Sequence, residues 1–395
     1  MNRMLATLAV LAALALAACS PADTSSPTTA GTPADGSTGP KASAASPAQP
    51  EDKVLNFSNW VDYIPEDMLK QFEQETGITV NYRTYGGNED LQKQVELRSS
   101  NDDLVVPSVS YGKTQAELGM YLPLDKSLLP NFKNLDADML KSLAVSDPGN
   151  KYFVPWAWGY TTLFLNKTKV SRALAGMPYP SNEWDLVFKP EYTSRLKSCG
   201  IAFLDSPSEI IPLAMRYMGL DPYSENEADY ARAADMLKPV RRDIGTFSLK
   251  MIDVMSSGDV CVAVAWSGDI DTSISELRDK GVKDDLVGVQ PSSGTLMFVD
   301  VLAIPVNASH PRNAHAFIDF YLKAANSAKL PNEVGFANGN QAALEFVDAE
   351  VKQNALIYPP PEFMARLTPS GGYSAKARWA MMYSYMAFAY NLDKK

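Results

Sequence analysis

Histidine is nearly absent from this sequence of 395 residues, occurring only at His310 and His315. Two imidazoles cannot build a His-rich metal site and leave little for His-based acid–base catalysis. Cysteine is also scarce, at positions 19, 199 and 261. Basic residues are the minority charge: 36 Lys and Arg against 46 Asp and Glu, a net charge of −10. An acidic chain offers a poor surface to nucleic-acid phosphates. No apolar run approaches the 18 or so residues of a membrane-spanning helix. Glycine (23) and proline (27) hold ordinary shares, which excludes a collagen-like or wholly disordered chain. What is present is ample core material, 46% apolar, in a length that suggests two or three domains.

Residues 1–18 read as a secretory signal, with Arg3 in the charged region and an apolar stretch from Leu5 to Leu16. The run Leu16-Ala17-Ala18-Cys19 has the form of a lipobox, which makes Cys19 the lipidated first residue of the mature chain. The alternative is an ordinary secretory signal with a coincidental Cys. A lipid on Cys19 would anchor the protein to one leaflet of a bacterial membrane without spanning it. Residues 19–50 carry Ser, Thr, Ala, Gly and Pro and few large apolar side chains, the composition of a flexible tether. With Cys19 on lipid, Cys199 and Cys261 are left in an oxidising compartment, where a disulfide between them is expected. Two free buried thiols are the alternative.

From Lys53 onward, strands and helices alternate. Val54–Phe57 reads as a strand, Pro65 to Phe72 as a helix ended by Gly77, and Ile78–Tyr82 as a second, parallel strand. Asn88 is read as the cap of the next helix, and Asp103–Val106 as a strand. In the second half, Glu209–Met218 and Glu227–Leu237 look helical, and Val260–Trp266 reads as a strand buried on both faces. A turn and helix follow from Gly268, then a strand over Thr295–Pro305 and a helix over Pro311–Leu322. The fold class is α/β with more than one parallel sheet. Tyr383, Tyr385 and Tyr390 are read as helix packing.

Ligands of open α/β sheets bind outside the carboxyl ends of strands. Three such places pair an aromatic with an acid: Trp60, Asp62 and Tyr63; Trp266 and Asp269; Phe298 and Asp300. Period two puts Phe298 and Asp300 on one face of their strand. A carboxylate in an apolar strand is costly unless it is paired, and no Lys or Arg lies near Asp300 in sequence. Its partner is either a distant side chain or a ligand. Ammonium groups suit such a site, because carboxylates take their charge and aromatic faces add cation–π attraction. The plainer alternatives are that Trp60 and Trp266 are core residues, that Asp62 and Asp269 are helix caps, and that Asp300 pairs with a distant Arg.

With these motifs in view, the chain resembles the polyamine-binding proteins of bacterial ABC importers, closest to the putrescine-binding type. The resemblance rests on Asn59-Trp60-Val61-Asp62-Tyr63, Phe72-Glu73-Gln74-Glu75-Thr76-Gly77-Ile78, Asp103-Leu104-Val105-Val106-Pro107-Ser108, Lys197-Ser198-Cys199-Gly200 and Gly258-Asp259-Val260-Cys261. It implies a two-lobed periplasmic binding protein fold of type II, with ligand held in the cleft between the lobes. Lobe 1 would comprise residues 53–158 and about 291–330, and lobe 2 about 159–290 and about 331–392. The cleft positions it implies are Trp60, Asp62, Tyr63, Ser108, Glu209, Trp266, Asp269, Phe298, Asp300 and Phe336. Trp60, Tyr63, Trp266 and Phe298 would line the methylene chain. Asp269 and Asp300 would bind ammonium ends, with Asp62, Glu209 and Ser108 assisting. Spermidine-preferring relatives tend to carry Trp at the position of Phe298, so Phe298 favours putrescine. Val61 stands where the family has Ser or Thr, and Phe336 where it has Tyr, so two hydroxyls are missing.

The expected protein is thus a substrate-binding lipoprotein of the periplasm that captures polyamine and delivers it to the permease subunits of an importer. It would work as a single copy, with no cofactor, metal or nucleic acid. The alternatives are a binder of another amine, a polyamine sensor, or an extracytoplasmic hydrolase using Asp269 and Asp300 as a carboxylate pair. No nucleophile elbow, phosphate loop or metal-ligand spacing supports the last.

Overall fold

The computed structural model describes residues 51–390. The signal segment 1–18, Cys19, the tether to residue 50 and residues 391–395 lie outside the described residues. From Pro50 onward the chain forms one compact unit with its own cores.

Among the described residues, the first sheet has strands β1 (Val54–Trp60), β2 (Thr79–Tyr85) and β3 (Leu104–Val105) in the order β2–β1–β3, all parallel. The helix Met68–Thr76 connects β1 to β2 and buries Met68 and Phe72. It ends at Gly77, whose φ of 68° is the left-handed conformation that stops a helix. The second sheet holds β4 (Val154–Asn166), β5 (Ile201–Leu204), β6 (Thr246–Ser248), β7 (Val262–Trp266), β8 (Leu286–Gly288), β9 (Thr295–Leu302) and β10 (Leu367–Thr368). Its order is β10–β9–β4–β7–β5–β6, with β8 also on β4. This sheet is mixed, where the sequence pattern predicts a parallel one: β4 runs antiparallel to β7, β8 and β9. A wholly apolar strand shows that both faces are covered, and carries no information on direction.

β4 is buried along its whole length and links the two halves of the molecule. Val154 to Tyr160 pair with β9, and Thr161 to Leu165 pair with β7. Isolated bridges extend β9 toward the first sheet, Ser108 to Asp300 and Val105 to Ala303. One core gathers Leu55, Phe57, Phe72, Trp156 and Phe317. A second gathers Phe164, Trp184, Phe203, Val262 and Phe388. The stretch from 331 to about 358, expected in lobe 2, packs with the first core instead. Phe336 belongs to that core, Trp158 N–H donates to Ala337 C=O at 2.8 Å, and Asp136 N–H donates to Gly339 C=O at 2.9 Å. Tyr373 and the later helix Ala375–Ala389 join the second core, and Leu356 packs against it.

On that last helix the three tyrosines part ways. Tyr385 is buried and donates to Asp205 at 2.8 Å, and Tyr390 also donates to Asp205, but Tyr383 is 68% exposed. Asn88 is not the cap of its helix; Gly87 occupies that position. The two histidines serve structure: His310 Nδ1 lies 2.9 Å from the Asp103 carboxylate, and His315 Nε2 accepts from Asp125 N–H.

Cys199 and Cys261 are disulfide-bonded, with Cα atoms 5.5 Å apart. The bridge ties the turn before β5 to the residue before β7, 62 positions on. A closed loop of this size stabilises by about 4 kcal/mol in the chain-entropy model. Replacing both residues, Cys199→Ser with Cys261→Ser, should lower unfolding stability by about 2–4 kcal/mol in urea titrations. An unchanged midpoint would mean that the bridge constrains little.

Candidate functional site

The site forms where the ends of β1, β7 and β9 converge. β1 ends at Trp60, and the chain turns through Asp62, whose φ of 54° is left-handed. Asp tolerates that region better than most side chains, and backbone strain of this kind collects at functional turns. The turn leaves Asp62 exposed and sends Tyr63 inward. Asp62 is not a helix cap: the next helix starts at Met68, after Asp67.

Asp300 is buried in β9, and its partners are two hydroxyls rather than an Arg. Ser108 Oγ donates to Oδ1 at 2.6 Å and Tyr63 Oη donates to Oδ2 at 3.0 Å. Burial pushes its carboxyl up to about 6 despite both hydrogen bonds. Burial and the neighbouring Asp300 in turn push the Tyr63 phenol well above its ordinary value, so it stays a donor. Ser108 is held by Asn88, whose amide donates to Ser108 Oγ at 3.1 Å and accepts from its N–H at 3.2 Å.

Asp269 and Glu209 arrive from the other half. Each lies in the first turn of a helix, Ser267–Asp279 and Pro207–Tyr217. A helix N-terminus favours negative charge. Burial outweighs that: the Asp269 carboxyl is pushed up to about 7, first by desolvation and then by repulsion from Asp62. Part of Asp269 remains open to the cleft, and no side chain among the described residues donates a hydrogen bond to its carboxylate. Glu209 is likewise raised to about 7 by burial, which exceeds the opposing hydrogen bonds from Thr161 and the Trp266 indole. No Lys or Arg forms an ion pair with Asp300, Asp269 or Glu209 among the described residues, and none is among the leading influences on their carboxyls.

Aromatic rings close around these acids. The Tyr63 ring meets Phe336 at 5.0 Å, and Phe336 meets Phe298 at 6.0 Å. Trp60 is half-buried against Tyr85 and donates its indole N–H to Val106 C=O at 2.8 Å. Trp266 ends β7, half-buried and in register with Thr161. Two glycines make room. A Cβ on Gly159 would lie 2.7 Å from Phe298 Cζ, and one on Gly268 would lie 2.6 Å from Phe336 Cζ.

Nine of the ten sequence-predicted positions thereby share one neighbourhood by direct contact or by charge interaction. Trp60 is linked less directly, through Val106 beside Ser108. Sequence reasoning missed Asn88, Thr161, Gly159 and Gly268. Gly159 carried a signal, since it interrupts an apolar strand without a turn. Glu89 was also missed: it is raised by burial, accepts from Tyr111 at 2.7 Å, and its charge raises Glu209. No group of three or more His, Cys, Asp or Glu among the described residues is arranged to hold a metal ion.

Three raised carboxyls have a consequence for stability. Each holds its proton to a higher pH in the folded protein than in the unfolded chain, where carboxyls titrate near pH 4. The stabilisation by those protons is complete below about pH 4 and is lost as pH rises through 6 to 7. Ligand-free protein should therefore show a falling unfolding midpoint between about pH 5 and 7.5, and the Asp269→Asn variant a shallower fall. A slope of opposite sign would mean that these acids are paired with cations.

Residues 67–359 match the family of bacterial extracellular solute-binding proteins. The chain is 40% identical over 345 residues to the putrescine-binding periplasmic protein SpuD of Pseudomonas aeruginosa, covering 87% of this chain and 94% of that one. It is 39% identical over 319 residues to the putrescine-binding periplasmic protein PotF of Escherichia coli, covering 80% and 86%. A solved structure of a putative spermidine/putrescine ABC transporter from Listeria monocytogenes superposes with a TM-score of 0.76 at 28% identity, over 85% of this chain and 99% of that one. With a two-lobed α/β fold, this chain belongs to the bacterial extracellular solute-binding proteins.

Proposed function

We propose that this protein captures a polyamine, putrescine favoured, between its two lobes and delivers it to the membrane permease of an ABC importer. The observation that carries the reading is the set Asp300, Asp269 and Glu209, raised by desolvation, bonded to no Lys or Arg, and framed by Tyr63, Trp266, Phe298 and Phe336. A diammonium ligand would supply the missing positive charge, and its methylenes would lie on the rings. An amino acid is disfavoured, because its carboxylate would face these acids with no Arg among them. The names of the relatives, putrescine-binding and spermidine/putrescine-binding, agree.

Asp300 and Tyr63 belong to the first half, Asp269 and Glu209 to the second. A ligand touching both sets favours the closed arrangement, and closure is a population shift of the size of that differential affinity. We assign to lobe 1 the residues 53–160 and about 299–358, and to lobe 2 residues 161–298 and about 367–389, following the two cores. The relatives are named as periplasmic proteins, and the same compartment is proposed here. Attachment there would be through a lipid on Cys19. The protein is a solute-binding protein and not an enzyme.

Titration calorimetry of the chain from Pro50 onward, refolded to remove any carried ligand, tests this against putrescine, cadaverine, spermidine and spermine. One-to-one binding with putrescine tightest is expected. Binding should release roughly one to two protons at pH 6.5, since the cation ionises the raised carboxyls. Asp269→Asn and Asp300→Asn should each weaken binding by about 1.5–3 kcal/mol, the scale of a charged hydrogen bond. Unchanged affinity in both variants would sink the site, and tighter spermidine would overturn the preference drawn from Phe298.

A further inference from the structure

Arg378 lies on the helix Ala375–Ala389, which packs with the second core, and only 7% of it is exposed. Its guanidinium reaches across to the other half of the molecule. One nitrogen, Nη1, donates to Gln92 Oε1 at 3.0 Å, and Nη2 lies 3.9 Å from Glu96 Oε1. Cζ stands 5.5 Å from the centre of the Tyr111 ring. Gln92 and Glu96 belong to the helix Asn88–Glu96 and Tyr111 to the helix Val109–Glu117, both in lobe 1. The chain just before Arg378 makes the same crossing: Tyr373 N–H donates to Ser110 C=O at 3.0 Å, and Thr114 Oγ1 donates to Tyr373 C=O.

The acceptor for Arg378 is oriented by its own lobe. Tyr121 Oη donates to Gln115 Oε1 at 2.6 Å, Gln115 Nε2 donates to Gln92 Oε1 at 2.5 Å, and Gln92 Nε2 donates to Glu96. This relay turns the Gln92 oxygen toward a group that has only donors. Asn88, Gln92 and Glu96 recur every fourth residue and so share one face of their helix. Asn88 holds Ser108, and Ser108 donates to Asp300. One helix therefore supports the cleft at its first residue and meets Arg378 further along.

We propose that Arg378 is a latch, a positioning residue that stabilises the closed arrangement of the lobes and slows ligand escape without an ion pair to the cleft acids. The latch presupposes the proposed capture of ligand by lobe closure. When the lobes part, the guanidinium, Gln92 and Glu96 all return to water. Closing favours their contact because the acceptor is already fixed, so little ordering is lost. The Tyr111 face and the Glu96 charge add attraction. A contact made only in the closed arrangement slows opening and leaves encounter with the open protein nearly unchanged.

Stopped-flow binding of putrescine to the chain from Pro50 onward, with urea unfolding alongside, tests the latch. Arg378→Met should raise the dissociation rate about 10-fold or more and change the association rate by less than about 3-fold. Arg378→Lys keeps the charge without the planar fork and should recover part of the loss. Gln92→Leu, on the facing lobe, should also speed dissociation, and combining it with Arg378→Met should add less than about 2-fold to the faster single variant. These two variants carry the test if Arg378→Met does not fold. Lower stability in urea with an unchanged dissociation rate would mean a fixed strut and would overturn the latch, as would fully additive effects of the two substitutions. A second readout needs no ligand: spin labels at Glu117→Cys and Asp235→Cys, both exposed, report the distance between the lobes. The short-distance population should shrink in Arg378→Met, and an unchanged distribution would overturn the latch. A shrinking population in a protein that binds no polyamine would overturn the proposed ligand and support the latch.

Discussion

The structure depends on an unbalanced charge. Asp300 is buried, Asp269 and Glu209 are half-buried, and desolvation lifts all three carboxyls toward neutrality. A protein selected for stability alone would place a Lys beside them or replace them with apolar residues, since an uncompensated buried charge is among the costliest features of an interior. Here the surrounding groups only soften the cost. Ser108 and Tyr63 give hydroxyls to Asp300, Thr161 and Trp266 give donors to Glu209, and helix N-termini underlie Asp269 and Glu209. Each of these favours negative charge without cancelling it. That imbalance is what the proposed diammonium ligand would correct.

The fold supplies the means of bringing these groups together. β4 and β9 both run through the two halves, so neither half can move without bending strands that are paired to each other from Val154 to Tyr160. β4 changes its partner between Tyr160 and Thr161. Phe298 and Asp300 lie on β9 opposite Gly159 and Ala157, and Thr161 bonds Glu209. Asp300 and Glu209 thus sit on, or directly against, the strands that link the halves, and under the proposed function a ligand charge placed there would act where the two halves join.

Much of this was legible in the sequence. Local patterns located β1, β2, β7, β9 and the helices near Pro65, Asn88, Glu209, Glu227, Gly268 and Pro311, because alternation, apolar runs and helix punctuation are short-range signals, but they did not reveal β4 or helices such as Val109–Glu117. The three aromatic–acid pairs were legible for a physical reason: a carboxylate at the end of an apolar strand has no structural purpose evident nearby. The direction of the second sheet was not legible, because burial on both faces looks the same for parallel and antiparallel strands. Asn88 was misread as a cap, since the same side chain that caps a helix can also reach across to Ser108, and only the tertiary fold selects between them. The placement of 331–358 with the first half depends on backbone hydrogen bonds from Trp158 and Asp136 that no local pattern encodes.

Phe336 shows how a departure from the family pattern can be absorbed. Its ring tip lies against Gly268, close enough that a Cβ there would collide at 2.6 Å, and its faces meet Tyr63 and Phe298. The side chain therefore bridges the two halves by packing, with its para carbon turned to the helix that carries Asp269. A hydroxyl at that carbon would have to fit against the Gly268 backbone or displace the ring. Losing it costs the protein one donor and keeps intact the apolar wall beside Asp300. That wall matters because it excludes water, and the attraction between an ammonium and a carboxylate strengthens as water is excluded. The apolar wall and the raised carboxyl lie together, since Phe336 touches Tyr63, whose hydroxyl bonds Asp300.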